Sequence, residues 1–124
     1  MISELMVEFG FENLDVWKKA ISLTTEIYKY FKDSKDFGFK DQITRSALSI
    51  PSNISEGYER NSVKEKQHFY NIAAASTGEL RTQIFVGIEI GYIIPEIGKA
   101  WIQETRNISS MTIGLIKSLN KLGS

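Results

Sequence analysis

An all-α, up-down-up-down antiparallel four-helix bundle is the fold this 124-residue sequence predicts. Three observations predict it. Apolar residues recur at steps of three and four along four separate stretches, the signature of one buried helix face. The breaks between the stretches are only about 3 to 6 residues long, which forces consecutive helices to lie antiparallel. No stretch alternates apolar and polar residues as a half-buried strand does. The expected division is a tail over 1–12 and a single bundle over 13–124, with helices at about 14–32, 39–58, 63–92 and 95–122.

The first helix carries Leu14, Trp17, Ile21, Tyr28 and Phe31 on its stripe, with Thr24 as a polar exception, while Val16, Ala20, Leu23 and Ile27 widen the apolar face. Asn13 is the expected N-cap, its side-chain oxygen accepting from a free backbone N–H. The run Asp33 to Gly38, "DSKDFG", supplies the turn.

The second helix presents Phe39, Ile43, Ala47, Ile50, Ile54 and Tyr58, and this register passes straight through Pro51. A restart with Asn53 as N-cap and Glu56 at N3 is one way to read the proline. Unbroken phase favours the other, a continuous helix kinked at Pro51. A proline there leaves the Ala47 carbonyl without its usual donor, at a local cost of about 3 kcal/mol. Ser52, Asn53 and Ser55 supply polar side chains close enough in sequence to take up freed backbone groups.

Ser62 and Glu65 have capping-box spacing at the start of the third helix, and Pro95 suits the first turn of the fourth, where its missing N–H costs nothing. Gly78, Gly87, Gly91, Gly98 and Gly114 fall inside the predicted helices. Each costs about 1 kcal/mol relative to alanine, so they are read as points where helices approach closely, with "AAASTG" (Ala73 to Gly78) a flat face.

Composition excludes several functions. The chain has no cysteine, so disulfides and thiolate metal sites are out. Its longest apolar run, Ile84 to Ile94, is interrupted by Glu89 and falls short of the roughly 20 residues of a membrane span. The opening residues show no leader pattern, which makes the cytoplasm the expected location. Glu65-x-x-His68 has the spacing of a di-iron helix motif, but His68 is the single histidine, and such sites need two copies. No serine has a general-base partner apart from that histidine, and no Gly-rich phosphate loop occurs. The expectation is therefore no enzyme, no metal and no cofactor.

Fifteen basic residues balance fifteen acidic ones. A nucleic-acid partner then requires a local patch. Bases crowd the first half of the chain, and the candidate contacts to RNA or DNA are Lys18, Lys19, Lys29, Lys32, Arg45, Arg60 and Lys64.

The patterns Phe11-x-x-Leu14-x-Val16-Trp17-x-x-Ala20, Ser49-Ile50-Pro51-x-Asn53-Ile54-x-Glu56-Gly57, Gly78-Glu79-Leu80 and Gly91-Tyr92 together carry a resemblance. Over residues 9 to 121 the chain resembles the four-helix-bundle family of proteins encoded in intervening sequences of bacterial 23S rRNA genes. More distantly it resembles the accessory proteins of diversity-generating retroelements. The resemblance implies a homopentamer with no established enzymatic activity; in the retroelement relatives a basic pentamer surface is associated with nucleic acid and a reverse transcriptase. Ser49, Pro51, Asn53, Glu56, Gly57 and Glu79 are the candidate structural or interface motif. Two functions follow as expectations: a homo-oligomeric bundle contacting structured RNA, or a protein-interaction scaffold that binds no nucleic acid.

Overall fold

The computed structural model describes residues 10–123, so most of the expected tail lies outside the described residues. A 3-10 turn at Phe11–Asn13 leads into four helices: α1 (Asp15–Tyr30), α2 (Phe37–Glu59), α3 (Val63–Glu89) and α4 (Pro95–Gly123). Each helix packs against its two neighbours, and α4 closes back on α1. The diagonal pairs make no close backbone approach, which is the geometry of an antiparallel four-helix bundle.

Helix length shapes the molecule. α1 has 16 residues and α4 has 29, about 24 and 44 Å. The end of α1 meets the α3–α4 turn, where the Ile94 N–H donates to the Tyr30 hydroxyl at 3.0 Å. Tyr30 also packs edge-on against Trp101. α1 therefore covers the upper part of the bundle. Beyond its start, the 3-10 turn lays Phe11 against Trp17, their ring centres 5.3 Å apart.

The core is built of β-branched and leucine side chains, with Ile27, Ile43, Ile54, Leu80, Ile84 and Ile108 wholly buried. Three threonines, Thr77, Thr105 and Thr112, are buried just as completely. Each hydroxyl donates to a carbonyl one turn earlier in its own helix, at 2.6 to 2.8 Å, so none of the three is stranded.

α2 runs unbroken through Pro51, as the register predicts. The orphaned Ala47 carbonyl is satisfied from outside the helix. Thr24 Oγ1 on α1 lies 3.0 Å from it and 2.7 Å from the Ala20 carbonyl, placing its one proton between two acceptors. The polar exception on the first helix and the proline on the second are thus two halves of one contact. The nearby side chains serve other carbonyls: Asn53 Nδ2 donates to Ser49 O, and Ser55 Oγ donates to Ser52 O.

Three local expectations are corrected. Asn13 closes the 3-10 turn, and the N-cap position of α1 is Leu14, which offers no side-chain cap. α2 starts at Phe37, because Asp36 caps it by accepting from Phe39 N–H at 3.1 Å. α3 stops at Glu89, and Gly91 is in the turn, with φ of 79°. The N–H groups of Tyr92 and Ile93 both return to the Gly87 carbonyl, so the left-handed residue ends the helix.

The glycine expectation divides. A Cβ at Gly87 or Gly98 would lie 2.4 Å from an isoleucine methyl, so these are close-approach points. At Gly78 and Gly114 it would meet nothing within 4 Å.

Candidate nucleic-acid interface

Of the motif residues, Ser49, Asn53, Gly57 and Glu79 lie along the seam between α2 and α3, where their polar groups find partners, while Pro51 borders the α1 side beside Trp17 and Ile21. Ser46 Oγ donates to Glu79 Oε1 at 2.7 Å, the Ser49 and Ser76 hydroxyls share a 2.7 Å bond, and Asn53 Nδ2 reaches the Ser49 hydroxyl at 3.0 Å. Pro51 and Gly57 are buried. A Cβ on Gly57 would stand 2.7 Å from the Tyr70 ring, so glycine is what admits that tyrosine. Burial pushes the Tyr70 hydroxyl up from its ordinary pKa, with a further contribution from Tyr58. Glu56 is exposed and pairs with Arg60 at 3.0 Å, an i,i+4 surface pair. Lys66 ends the seam, donating to the Tyr58 carbonyl at 2.7 Å and placing a cation at the C-terminus of α2.

The seven basic candidates do not converge. Lys18 and Lys29 share the outward stripe of α1, with Ser22 and Thr25 filling the steps between them, Lys32 stands in the turn that follows, and all three are exposed. Lys19 is drawn toward α4 by Glu104 at 3.7 Å. Arg45 is paired with Asp41 at 3.0 Å. Arg60 is paired with Glu56, and its guanidinium sits 4.8 Å over the Phe69 ring. Lys64 stands in the first turn of α3, at the end of the bundle away from Lys29 and Lys32.

A second basic stripe lies on α4. Lys99, Arg106 and Lys117 are exposed and belong to a run with Ile113 at steps of 7, 7 and 4. Ser109 and Asn120 mark this as the side toward α3, since they bond to Arg81 and Gln67 respectively. Arg81 itself is half-buried in the α3–α4 seam. Its Nε donates to Thr105 Oγ1 at 2.9 Å, and its Nη2 donates to Ser109 Oγ at 2.8 Å and to Thr105 O at 3.3 Å. All of these partners are neutral.

A protein-family model covers residues 12–114, and its description is 23S rRNA-intervening sequence protein. The chain belongs to that family. Among solved structures it is similar to a protein of unknown function from the S23 ribosomal protein family of Bacteroides thetaiotaomicron VPI-5482. The two are 27% identical with a TM-score of 0.77, over 82% of this chain and 98% of that one. No curated protein matches.

Among the described residues no group of three or more His, Asp or Glu side chains could hold a metal ion. His68 is exposed and packs its ring against Phe69, and Glu65 serves the helix start by donating its N–H to Ser62 Oγ. No described helix is long and apolar enough to cross a membrane.

The α4 stripe is hard to see in the sequence because the density of bases is highest between residues 18 and 66. Spacing was the better signal. Lys99, Arg106 and Lys117 keep helical time along one face, whereas Lys19, Arg45 and Arg60 each have an acid within reach.

Proposed function

We propose that this intervening-sequence protein is a non-enzymatic, self-associating bundle that contacts structured RNA in the cytoplasm. The observation that supports it is the sorting of its bases. Acids hold Lys19, Arg45 and Arg60, while among the described residues Lys18, Lys29, Lys32, Lys99, Arg106 and Lys117 stand exposed without an ion pair, on the α1 side and along α4. Unpaired surface bases are the groups that can release counterions from a phosphate backbone. This lets a chain of zero net charge offer a local footprint.

Self-association, with the pentamer that the family resemblance implies, is supported by the upper end of α3. Val86, Ile90 and Ile94 are about half exposed there, beside Tyr92. Apolar side chains gathered in this way favour burial against another copy. The scaffold reading that binds no nucleic acid draws on the same residues, because the polar groups of Ser49 and Asn53 are already used within one chain.

Fluorescence anisotropy with 23S rRNA fragments across a salt series tests the RNA contact. Affinity is expected to fall steeply and log-linearly as salt rises; absence of binding at low salt would leave the scaffold reading. Light scattering on Val86→Glu with Ile90→Glu tests assembly, with a drop to monomer mass expected and an unchanged mass counting against that end as the contact.

A further inference from the structure

We propose that the outer face of the α3–α4 seam is a track for single-stranded RNA, with Arg81 as a fixed phosphate ligand, Lys99, Arg106 and Lys117 as backbone contacts, and Phe85 as a stacking platform. The proposal rests on the RNA reading above and assigns it to one surface.

Four features converge there. Arg81 is held by three hydrogen bonds to α4, all to neutral oxygens, which fixes its orientation while leaving its charge uncompensated. A half-buried guanidinium with no carboxylate partner among the described residues keeps its positive charge for an anion, and its Nη1, which makes none of these bonds, is left to donate to one phosphate oxygen. Phe85 lies one turn beyond Arg81 on the same side of α3 and is 47% exposed, offering a ring face to a base.

The exposed bases of α4 run beside it. From Lys99 to Lys117 the helix advances about 27 Å, the length of roughly eight stacked nucleotides of one strand at about 3.4 Å each. Most acids of the two helices lie off this face. Glu79 turns to α2 and Glu104 to α1, where they hold Ser46 and Lys19, and Glu65 sits in the first turn of α3. Glu89, one turn beyond Phe85, and Glu96, one turn before Lys99, bound the track at its upper end. The α3 surface is open two turns before Phe85, for a Cβ at Gly78 would meet nothing within 4 Å. A strand can therefore approach the α3 backbone closely beside Arg81.

Single-stranded RNA fits this surface better than a duplex. One narrow row of bases follows one backbone, and a stacking ring can engage a base only where that base is not already paired.

The test uses the full chain and a fluorescein-labelled 12-nucleotide single-stranded RNA, with a hairpin of the same length as the duplex probe. Charge reversal on α4 (Lys99→Glu, Arg106→Glu and Lys117→Glu together) is compared with charge reversal on α1 (Lys18→Glu, Lys29→Glu and Lys32→Glu). The α4 variant is expected to lose at least 30-fold in affinity for the single strand and about 2 units of salt slope. The α1 variant is expected to lose less than 3-fold. Phe85→Ala should lose about 5- to 10-fold for the single strand and nothing for the hairpin, with the melting temperature unchanged. Arg81→Met should lose about 10-fold, and Arg81→Lys should fail to restore it.

If the wild type binds and only the α1 variant is impaired, the track is overturned while the RNA reading stands. Wild-type failure to bind either probe overturns both. A change in oligomer mass for the α4 variant, with RNA affinity retained, assigns the face to contact between copies and also overturns the track.

Discussion

On its α2 flank, α3 presents Ser76 and Glu79 to Ser49 and Ser46, and every one of these groups finds its partner within the seam. On its α4 flank it presents Arg81 to Thr105 and Ser109, which satisfy its hydrogen bonds without neutralising its charge. The glycines repeat the contrast. Gly57 on the closed side leaves room for Tyr70, whereas Gly78 on the open side leaves room for nothing in the chain. Polar and small residues whose requirements are met inside a fold hold it together. Those whose requirements are not met are the ones available to a partner, and the family motif marks the first kind.

The sharpest way to break this contrast is Gly57→Ala. The added methyl would press on a buried aromatic ring and stand 3.3 Å from the Lys66 carbonyl. The expected loss is about 2–3 kcal/mol in urea denaturation. A loss under about 0.5 kcal/mol would show that the seam yields easily and is less closed than drawn.

Next in size is Thr24→Val, which keeps the side-chain shape and removes the donor to Ala47. About 1–2 kcal/mol should be lost. In a Pro51→Ala background, where the backbone regains an N–H for that carbonyl, the same change should cost less than half as much. Equal costs in both backgrounds would mean that the hydroxyl serves Ala20 alone.

Gly78→Ala should go the other way and stabilise by close to 1 kcal/mol, since a mid-helix alanine replaces a glycine with no steric role. Thermal melts of this variant and of Gly57→Ala, run side by side, should move in opposite directions. A shared direction would erase the distinction between the flanks.

The smallest effect is at the upper end, outside both flanks. The Tyr92 hydroxyl and then the Phe39 N–H hold the Asp36 carboxyl below its ordinary value of 3.8. A lowered folded-state pKa stabilises the fold above the unfolded value, and that contribution disappears as acid takes the pH below 3.8 toward the folded value. Tyr92→Phe should therefore flatten the loss of stability between neutral pH and pH 3, slightly. An unchanged acid profile would indicate that this exposed bond contributes nothing in solution.

Much of this architecture is legible in the residues themselves. Heptad-type spacing places the four helices, and the unbroken phase from Ile43 to Tyr58 carries α2 through Pro51, because burial of one continuous face outweighs one missing backbone bond. Short-range chemistry is legible too where a side chain reaches only a few residues, as with Ser62 at the start of α3. What escapes is whatever another helix decides. Thr24 is an anomaly until Ala47 is seen beside it, and Arg81 is one more charged residue until Thr105 and Ser109 are seen to hold it. The exit from α3 was readable at Gly91, but apolar residues on both sides kept the helical pattern running past the true end.

The bond between Thr24 and the Ala47 carbonyl ties two distant codons to one another. A proline at position 51 without a hydroxyl at position 24 strands a carbonyl, and a hydroxyl at 24 without the proline is a polar group set in an apolar stripe for little return. Each is a burden alone, so drift at one position is constrained by the state of the other. Members of the family that keep the proline are expected to keep a donor opposite it, and those that have lost the proline are free to place valine or leucine there. Order of synthesis suits the pair as well: α1 leaves the ribosome before α2, so the donor is already present when the interrupted helix forms.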